Sequence, residues 1–429
     1  MERKQKIVVI GGGFAGLNFL KKIDKNRFDV LLVDKNNYHS FPPLFYQIAS
    51  GGLDPASISF PFRREMRKKP VRGTRFHLGK VKTIDVEAKT VQTQFETIPY
   101  DKLVIAAGTT NNFFGNSELI KYVYTLKSAA EAIRCRDEVL DRLERASLTK
   151  DKELRRRLLS FVVIGGGPTG VEVAGALGEM KRDIITREYP DLEVDEVNIT
   201  LLEGSDRLLG AMTRESSDDA LRYLDRLMVD VKLGHLMKEY SDNVVTLEDG
   251  TRLEAGMVIW TAGITGTGFQ IEGTDVKSGP GNRFVVDRNS AVVGIPDVYA
   301  LGDIAFMTSP DFPKGMPQLA QVAIQQARHL AEVLNADGKK EIKPFEYNDK
   351  GSMATVGRNL AVADLYKIHL SGRPAWFTWM FIHLISILGM RNKVTVLINW
   401  IWAYFTYSTS LRLLIHTTRY PLRSRWGER

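Results

Sequence analysis

Cysteine is almost absent from this sequence of 429 residues, which contains only Cys135. A single cysteine allows no intrachain disulfide, no CxxC redox pair and no cysteine-rich zinc or iron–sulfur site. The seven histidines show no metal-ligand pattern, so we expect no metal site. Proline is scarce, with 16 residues, and the 44% hydrophobic content excludes disordered and low-complexity chains. The chain is predicted to be folded, and any electron chemistry requires an organic cofactor.

The net charge of +8 is concentrated in one segment. Residues 373–429 contain eight basic residues and one acid, which gives this segment +7 and leaves +1 for the first 372 residues. These basic residues are interleaved with Trp-rich apolar sequence, a pattern that fits an anionic lipid surface better than nucleic acid. We therefore expect residues 373–429 to contact a membrane, and we expect no nucleic-acid partner.

The apolar tail consists of two uncharged stretches, 374–390 and 394–411. Both lie at the lower edge of the length that spans a bilayer. In the second stretch, small or polar residues recur every three or four positions, which predicts an amphipathic helix. They are Thr395, Asn399, Ala403, Thr406 and Ser410. A helix pair lying in the interface would keep all the basic residues at one surface, which favours a monotopic anchor. A spanning hairpin and a buried or dimer-forming helix pair are the alternatives.

A βαβ unit opens the chain. A short strand over 6–10 leads into a glycine-rich turn in which Gly11 permits the tight bend, Gly13 lets a pyrophosphate approach, and Gly16 lets helix and strand pack closely. The N-terminus of the following helix attracts phosphate, and Asp34, at the end of the next strand, can bind ribose hydroxyls. The unit predicts binding of the ADP moiety of a dinucleotide.

The same pattern recurs in the middle of the chain, with a turn that contains Gly165, Gly167 and Gly170 and a second strand that ends at Glu203. A charged extension over 181–196 separates this acid from the turn. Two dinucleotides in one chain indicate electron transfer between them. Glu203 would repel a 2′-phosphate, which favours NADH. Arg207 is the reason to keep NADPH open.

Further elements accompany the two turns: strand–glycine segments at 100–109 and 257–263, and a Gly-Asp pair after the strand at 298–301. With them, residues 1–345 resemble the flavoprotein reductases with two dinucleotide-binding domains. The resemblance implies an α/β fold in which a Rossmann-like NADH domain is inserted into a Rossmann-like FAD domain, followed by a C-terminal amphipathic helical membrane anchor. The implied boundaries are 1–112 and 276–345 for the FAD domain, 113–160 for a helical connection, 161–275 for the NADH domain and 346–429 for the membrane-association region.

The resemblance also implies the cofactor contacts. Expected FAD contacts are Gly11, Gly13, Phe14, Ala15, Gly16, Asp34, Ala107, Gly108, Gly302, Asp303, Ala320 and Gln321. Expected NADH contacts are Gly165, Gly167, Gly170, Glu172, Glu203, Ala262 and Gly263.

The electron acceptor is indicated by two features. Leu44 stands where thiol-using relatives carry a cysteine, and Cys135 lies in a charged helical run, so disulfide and sulfide chemistry are not expected. The segment 316–326 and the apolar tail resemble the AQxAxQ element and tail of the type II NADH:quinone oxidoreductases. The resemblance then covers essentially the full length.

This second resemblance implies roles for four residues. Gln321 is expected to be a catalytic residue at the flavin edge of the quinone pocket, with Gln325 one helical turn later and Tyr46 on the flavin-side loop. Glu172 is expected to be catalytic between nicotinamide and flavin. From the residues alone, two glutamines are an ordinary helix surface, and Glu172 is an acid favoured by the helix dipole.

The expected enzyme transfers two electrons from NADH through FAD to menaquinone or ubiquinone without pumping protons. The short apolar run at 7–10 does not resemble an export signal, so we expect a peripheral protein on the cytoplasmic face of a bacterial inner membrane, with a homodimer as a further expectation. A reductase of soluble acceptors or oxygen with the same fold, and a membrane-tethered NADH sensor, are the alternatives.

Overall fold

The computed structural model describes residues 3–336, 338–366, 368–406 and 412–414. Within these residues the strands are β1 Gln5–Ile10, β2 Phe28–Asp34, β3 Tyr38–Ser40, β4 Ser59–Pro61, β5 Arg75–Leu78, β6 Val81–Asp85, β7 Thr90–Thr93, β8 Thr97–Pro99, β9 Lys102–Ile105, β10 Thr109–Asn111, β11 Tyr124–Thr125, β12 Ser160–Ile164, β13 Asn198–Glu203, β14 Asp230–Leu233, β15 Met237–Ser241, β16 Val244–Leu247, β17 Arg252–Glu254, β18 Met257–Trp260, β19 Ile264–Gly266, β20 Gln270–Glu272, β21 Phe284–Val286, β22 Val298–Ala300, β23 Ala305–Met307, β24 Ser352–Gly357, β25 Leu360–Leu365 and β26 Ile368–Ser371. The α-helices are α1 Phe14–Lys22, α2 Phe45–Ala49, α3 Phe62–Glu65, α4 Ala129–Leu148, α5 Lys152–Leu158, α6 Pro168–Met180, α7 Thr186–Glu188, α8 Arg214–Arg226, α9 Ala320–Ala336, α10 Gly372–Ser386 and α11 Met390–Thr406.

The chain forms two compact units, each made of separate segments. Unit 1 contains residues 1–40, 59–112 and 263–350, and unit 2 contains residues 41–58, 113–262 and 351–429.

Unit 1 is built on a five-stranded parallel sheet in the order β22-β9-β1-β2-β5. The central strand β1 is apolar from Ile7 to Ile10 and buried there, as expected for a parallel sheet covered on both faces. A second sheet, β20-β6-β7-β8, shares a hydrophobic core with it. Helix α1, which follows the first glycine turn, packs against α9.

Unit 2 repeats this architecture with a parallel sheet in the order β11-β18-β12-β13-β14. Each position matches its counterpart in unit 1: a glycine turn follows the central strand, β1 or β12, and an acid ends the next strand, β2 or β13. The strand order is that of a dinucleotide-binding half. The prediction of an α/β fold with two Rossmann-like domains is confirmed, and segments of unit 1 lie on both sides of residues 113–262 in the chain.

The C-terminal part of unit 2 is an antiparallel sheet, β24-β25-β26, followed by α10 and α11. Ala375 of α10 packs on Ala361 and Ala363 of β25. Trp379 of α10 and Trp400 of α11 are buried with their ring centroids 5.7 Å apart. Among the residues that the structure describes, no helix has both the length and the apolarity that a membrane crossing would need. Ser410 of the predicted polar stripe, and the basic residues from Arg419 onward, lie outside the described residues.

Candidate active site

The first glycine turn, in unit 1, has the geometry of a phosphate cradle. Gly11 has φ +96°, which favours glycine, and a Cβ on Gly16 would lie 1.9 Å from the Gly11 carbonyl oxygen. A Cβ on Gly13 would meet no protein atom within 4 Å, so the space beside this residue is open. Helix α1 begins directly after Gly13 without a side-chain cap, and N–H groups at such a helix N-terminus attract anions.

The acid that ends β2 is joined to this turn. Asp34 Oδ2 accepts the Gly12 N–H at 2.7 Å, while Oδ1 accepts the Asn36 N–H at 2.7 Å. Burial raises the pKa of Asp34, and these two bonds oppose the rise. From the other side, His39 Nδ1 lies 2.8 Å from the Gly12 carbonyl oxygen, and burial lowers the pKa of His39 to about 4, so the ring is a neutral donor. No motif in the sequence indicates this contact of His39.

Two further glycines that are expected to contact FAD also belong to unit 1 and have positive φ. Gly108, which follows Ala107, has φ +65°, and the Thr267 hydroxyl bonds to the carbonyl oxygens of Ala107 and Gly108. Gly302 has φ +72°, and a Cβ there would lie 3.0 Å from that of Ala323 and 3.5 Å from that of Ala15. The Gly-Asp pair at 302–303 is thus brought against both α1 and α9.

Helix α9 begins at Ala320 and carries three glutamines with different partners. Gln326 is buried and accepts the Gly302 N–H at 2.8 Å, which fixes the Gly-Asp pair. Gln325 makes a two-way bond with the backbone of Asn348, donating at 2.9 Å and accepting at 3.0 Å. Gln321 accepts the Lys350 N–H at 3.3 Å. Gln321 and Gln325 therefore both hold the segment at 348–350, and Gln326 is a residue that sequence analysis did not assign.

The second glycine turn, in unit 2, reproduces the first. Gly165 has φ +107°, and a Cβ on Gly170 would lie 1.7 Å from its carbonyl oxygen, whereas a Cβ on Gly167 would meet nothing within 4 Å. Glu203 Oε2 accepts the Gly166 N–H at 2.5 Å. Beside the turn, the Thr261 hydroxyl donates to the Ile164 carbonyl oxygen at 2.8 Å. A second dinucleotide fits this cradle.

Arg207, the residue for which NADPH is kept as an alternative to NADH, is hydrogen-bonded to the backbone. Its guanidinium donates to the Gly210 carbonyl oxygen at 2.5 Å, and Ser205 connects Glu203 to the Arg207 carbonyl oxygen. Ala262 is the last residue of its segment in unit 2, and Gly263, with φ +76°, begins a segment of unit 1.

Glu172 and Tyr46 are buried in unit 2, each with 8% of its surface exposed. Burial raises the pKa of Glu172 well above its ordinary value, opposed by a hydrogen bond from the Thr355 backbone. Burial also raises the pKa of Tyr46, and the nearby Glu172 raises it further. Tyr46 is therefore a neutral phenol at neutral pH, and Glu172 keeps its proton to a higher pH than a solvated glutamate does.

The predicted site residues divide between the units. The FAD contacts from Gly11 to Gln321 all fall in unit 1, and the NADH contacts fall in unit 2 apart from Gly263. Of the quinone-side residues, Gln321 and Gln325 belong to unit 1 and Tyr46 to unit 2.

The described residues show neither a reactive thiol nor a metal-binding cluster. Cys135 is buried in α4, where burial raises the pKa of its thiol to about 12, so it is held as an unreactive thiol. No group of three or more His, Cys, Asp or Glu in the described part of the chain is arranged to hold a metal ion.

Two family models match the sequence. Residues 5–327 match the pyridine nucleotide-disulphide oxidoreductase model, and residues 350–407 match the NDH2 C-terminal domain model. The type II NADH:quinone oxidoreductase Ndh of Mycobacterium tuberculosis is 33% identical over 93% of this chain and 88% of its own length. The mitochondrial internal alternative NAD(P)H-ubiquinone oxidoreductase A1 of Arabidopsis thaliana is 30% identical over 94% of this chain and 84% of its own.

Solved structures share the fold at lower identity. NDH2 from Plasmodium falciparum, solved in complex with NADH, superposes with a TM-score of 0.89 at 24% identity and covers 96% of this chain and 100% of its own. The sulfide:quinone oxidoreductase of Aquifex aeolicus superposes with a TM-score of 0.69 at 19% identity and covers 96% of both chains. At these identities the superpositions show a common fold.

Proposed function

The chain belongs to the type II NADH:quinone oxidoreductases, and from this premise we propose that it transfers two electrons from NADH to a membrane quinone through FAD, without pumping protons. The balanced reaction consumes NADH, one proton and the quinone, and yields NAD⁺ and the quinol. The observation that carries the proposal is the repeated cradle: two glycine turns, each joined to an acid, in two sheets of the same strand order. Such a pair fits one resident and one exchanging dinucleotide.

The resident dinucleotide is FAD, held in unit 1. The open space at Gly13 and the N-terminus of α1 would hold the pyrophosphate, and Asp34 would bind the ribose of the adenosine. The Gly-Asp pair at 302–303, fixed by Gln326, and the Gly108 turn complete the set. FAD held there would supply the two-electron chemistry between NADH and the quinone.

The exchanging dinucleotide is NADH, bound in unit 2 at Gly165, Gly167 and Gly170. Glu203 occupies the ribose end of this cradle and presents a carboxylate where NADPH would bring a phosphate. Because the Arg207 guanidinium is bonded to the Gly210 carbonyl oxygen, it is directed along its own loop. The cradle therefore prefers NADH to NADPH.

Burial in unit 2 favours the protonated forms of Tyr46 and Glu172. Tyr46 is proposed to donate a hydrogen bond to a quinone oxygen, and Glu172 is proposed to act on the nicotinamide side, where its raised pKa favours the proton-donating form. Gln321 is proposed as the quinone-side residue of unit 1, and Gln325 supports it by fixing the backbone at Asn348. We treat Glu172 and Gln321 as the catalytic residues of the two units.

Membrane association is proposed for α10 and α11. The apolar outer face of these helices consists of large side chains that are 46–76% exposed and recur every three or four residues. They are Phe377, Phe381 and Ile385 on α10 and Val394, Ile398, Ile401 and Phe405 on α11. Both helices bury a different, inner face through Trp379 and Trp400. The outer face thus remains for a lipid surface, with exposed Arg373 and Arg391 at helix ends for anionic headgroups.

The proposed location is the cytoplasmic face of a bacterial inner membrane, with menaquinone or ubiquinone as acceptor. A second copy of the chain is the other occupant that the apolar outer face could take, which would make a homodimer. Sedimentation of the purified protein, with and without vesicles, distinguishes lipid binding from self-association.

The function is tested by following the flavin absorbance of the holoenzyme under anaerobic conditions. We expect NADH to bleach the flavin and a short-chain quinone to restore its colour at the rate of steady-state turnover. Restoration only by oxygen or a soluble electron carrier would identify a reductase of the same fold with another acceptor. Tight NADH binding with slow reoxidation by every acceptor would identify a sensor.

A further inference from the structure

Three side chains in unit 2 form a hydrogen-bonded chain that begins on the last described helix. The Trp400 indole Nε1–H on α11 donates to Gln47 Oε1 at 2.9 Å. The other end of the same amide, Gln47 Nε2–H, donates to the Tyr46 phenol oxygen at 2.8 Å. Residues more than 350 positions apart in sequence are thus connected through one amide group.

The direction of this chain follows from the chemistry of its first member. An indole N–H can only donate, so Trp400 requires the oxygen of the Gln47 amide to face it. The amide nitrogen must then face Tyr46, where it can only donate. The phenol oxygen is therefore the acceptor, and its own O–H hydrogen is directed to a different acceptor.

The surroundings make this arrangement rigid. Tyr46 and Trp400 are each 8% exposed, and Trp379, 1% exposed, packs at 6.3 Å from the Tyr46 ring and 5.7 Å from the Trp400 ring between centroids. Asn392, also on α11, donates to the carbonyl oxygens of Ala56 and Ser57 at 3.1 and 2.9 Å. Helix α11 thus holds the 41–58 segment at two places, and hydrogen bonds in such an apolar setting are stronger than in water.

We propose that Trp400 and Gln47 are positioning residues that fix the Tyr46 hydroxyl as a hydrogen-bond donor to a carbonyl oxygen of the quinone. The inference rests on the proposed function, in which Tyr46 is a quinone-side residue. It adds that the membrane-association helix α11 is part of the quinone site, because its indole sets the polarity of the relay.

The test compares Trp400→Phe with Trp376→Phe in the full-length holoenzyme. Trp400→Phe keeps an aromatic ring and removes the N–H donor, whereas Trp376 lies on α10 with its ring 5.5 Å from that of Tyr404, outside the relay. With a short-chain quinone we expect Trp400→Phe to lower kcat/KM roughly two- to tenfold. The rate of flavin reduction by NADH should stay unchanged in both variants, and Trp376→Phe should retain the wild-type kcat/KM for quinone.

Two further variants separate positioning from general damage. Gln47→Glu keeps the acceptor for Trp400 but replaces the donor to Tyr46 by a carboxylate, which would draw the phenol hydrogen to itself. We expect a larger loss of kcat/KM for quinone than in Trp400→Phe, again with unchanged flavin reduction. In a Tyr46→Phe background, Trp400→Phe should cause no further loss, because the group that it positions is gone.

Additive losses in the double variant, or wild-type quinone kinetics in Trp400→Phe and Gln47→Glu, would overturn the relay. If either of these results is obtained while the wild-type enzyme reduces quinone, the relay is wrong but the proposed function stands. A wild-type enzyme that reduces no quinone would instead remove the proposed function on which the relay rests.

Discussion

The carboxylate of Glu203 accepts the backbone N–H of Gly166 at 2.5 Å, which ties the acid at the end of one strand to the glycine turn after its neighbour. Asp34 makes the same bond to Gly12 at 2.7 Å in unit 1. The acid therefore fixes the glycine turn, in addition to the ribose contact that we propose for it. Its charge and its hydrogen bond can be tested separately.

Glu203→Gln keeps an oxygen that can accept the Gly166 N–H but removes the negative charge. We expect the preference for NADH over NADPH, measured as the ratio of kcat/KM values, to fall roughly tenfold, since a 2′-phosphate is no longer repelled by a carboxylate. Glu248→Gln, at an exposed position of unit 2, is the matched control. An unchanged ratio in Glu203→Gln would remove this residue from nucleotide selection.

The two cradles predict a reciprocal pair of substitutions. Gly13→Ala and Gly167→Ala each place a methyl group where no protein atom lies within 4 Å, so both apoproteins should unfold at the wild-type temperature. Gly13→Ala should reduce the FAD content of the purified protein, because the methyl group occupies the pyrophosphate space. Gly167→Ala should retain full FAD content and raise the KM for NADH.

The absorbance of the flavin measures the FAD content of the two variants, and steady-state kinetics measure their KM for NADH. Loss of FAD in Gly167→Ala, or an unaffected FAD content in Gly13→Ala, would contradict the assignment of the two turns. Gly16→Ala is the steric reference, since its methyl group would collide with the Gly11 carbonyl oxygen and should destabilise the apoprotein as well.

The buried Glu172 predicts a pH dependence of stability. Because its pKa is higher in the folded than in the unfolded chain, the folded chain binds more protons between those two values. Its contribution to the free energy of unfolding is therefore fully present below the unfolded pKa of about 4.3 and is lost as the pH rises through the folded pKa. Glu172→Gln removes this loss.

We expect the thermal midpoint of Glu172→Gln, relative to wild type, to rise progressively as the pH increases above the pKa of an ordinary glutamate. Differential scanning calorimetry across the pH range makes the measurement, and Glu248→Gln should track the wild type at every pH. A constant offset between Glu172→Gln and wild type would show that the carboxyl group does not titrate with a raised pKa.

The apolar outer face predicts vesicle binding. Phe381→Ser removes a side chain that is 63% exposed on α10, and we expect roughly ten- to hundredfold weaker binding to phospholipid vesicles, since burial of a large apolar side chain contributes about 1.5–3 kcal/mol. Phe95→Ser, at a position that is 71% exposed in unit 1, should leave vesicle affinity unchanged. Equal effects of the two substitutions would argue against a lipid surface at α10.

The glycine turns and their acids could be predicted from sequence because the pattern is local. Each cradle needs a short apolar strand, glycines at fixed spacing and an acid after the next strand, and all of these lie within one supersecondary unit. The matching strand orders of the two sheets are those expected when the same dinucleotide-binding βαβ unit occurs twice. The apolar composition of the tail likewise predicts that α10 and α11 carry large apolar side chains.

The contacts that support the site could not be predicted in the same way. Gln326 reaches Gly302 across 24 positions, His39 reaches Gly12 across 27, and Trp400 reaches Gln47 across 353, and no motif of fixed spacing joins any of these partners. The grouping of residues 41–58 with unit 2 is of the same kind. Such contacts are set by tertiary packing, and a single sequence carries no periodicity that reports them.

The most direct test of the account is steady-state NADH oxidation by the FAD-loaded protein under anaerobic conditions, with and without a water-soluble quinone. The account predicts turnover that depends on quinone, with one NADH oxidised for each quinone reduced. A single reduction of the flavin by NADH, with no further NADH oxidation although quinone is present, would contradict the account.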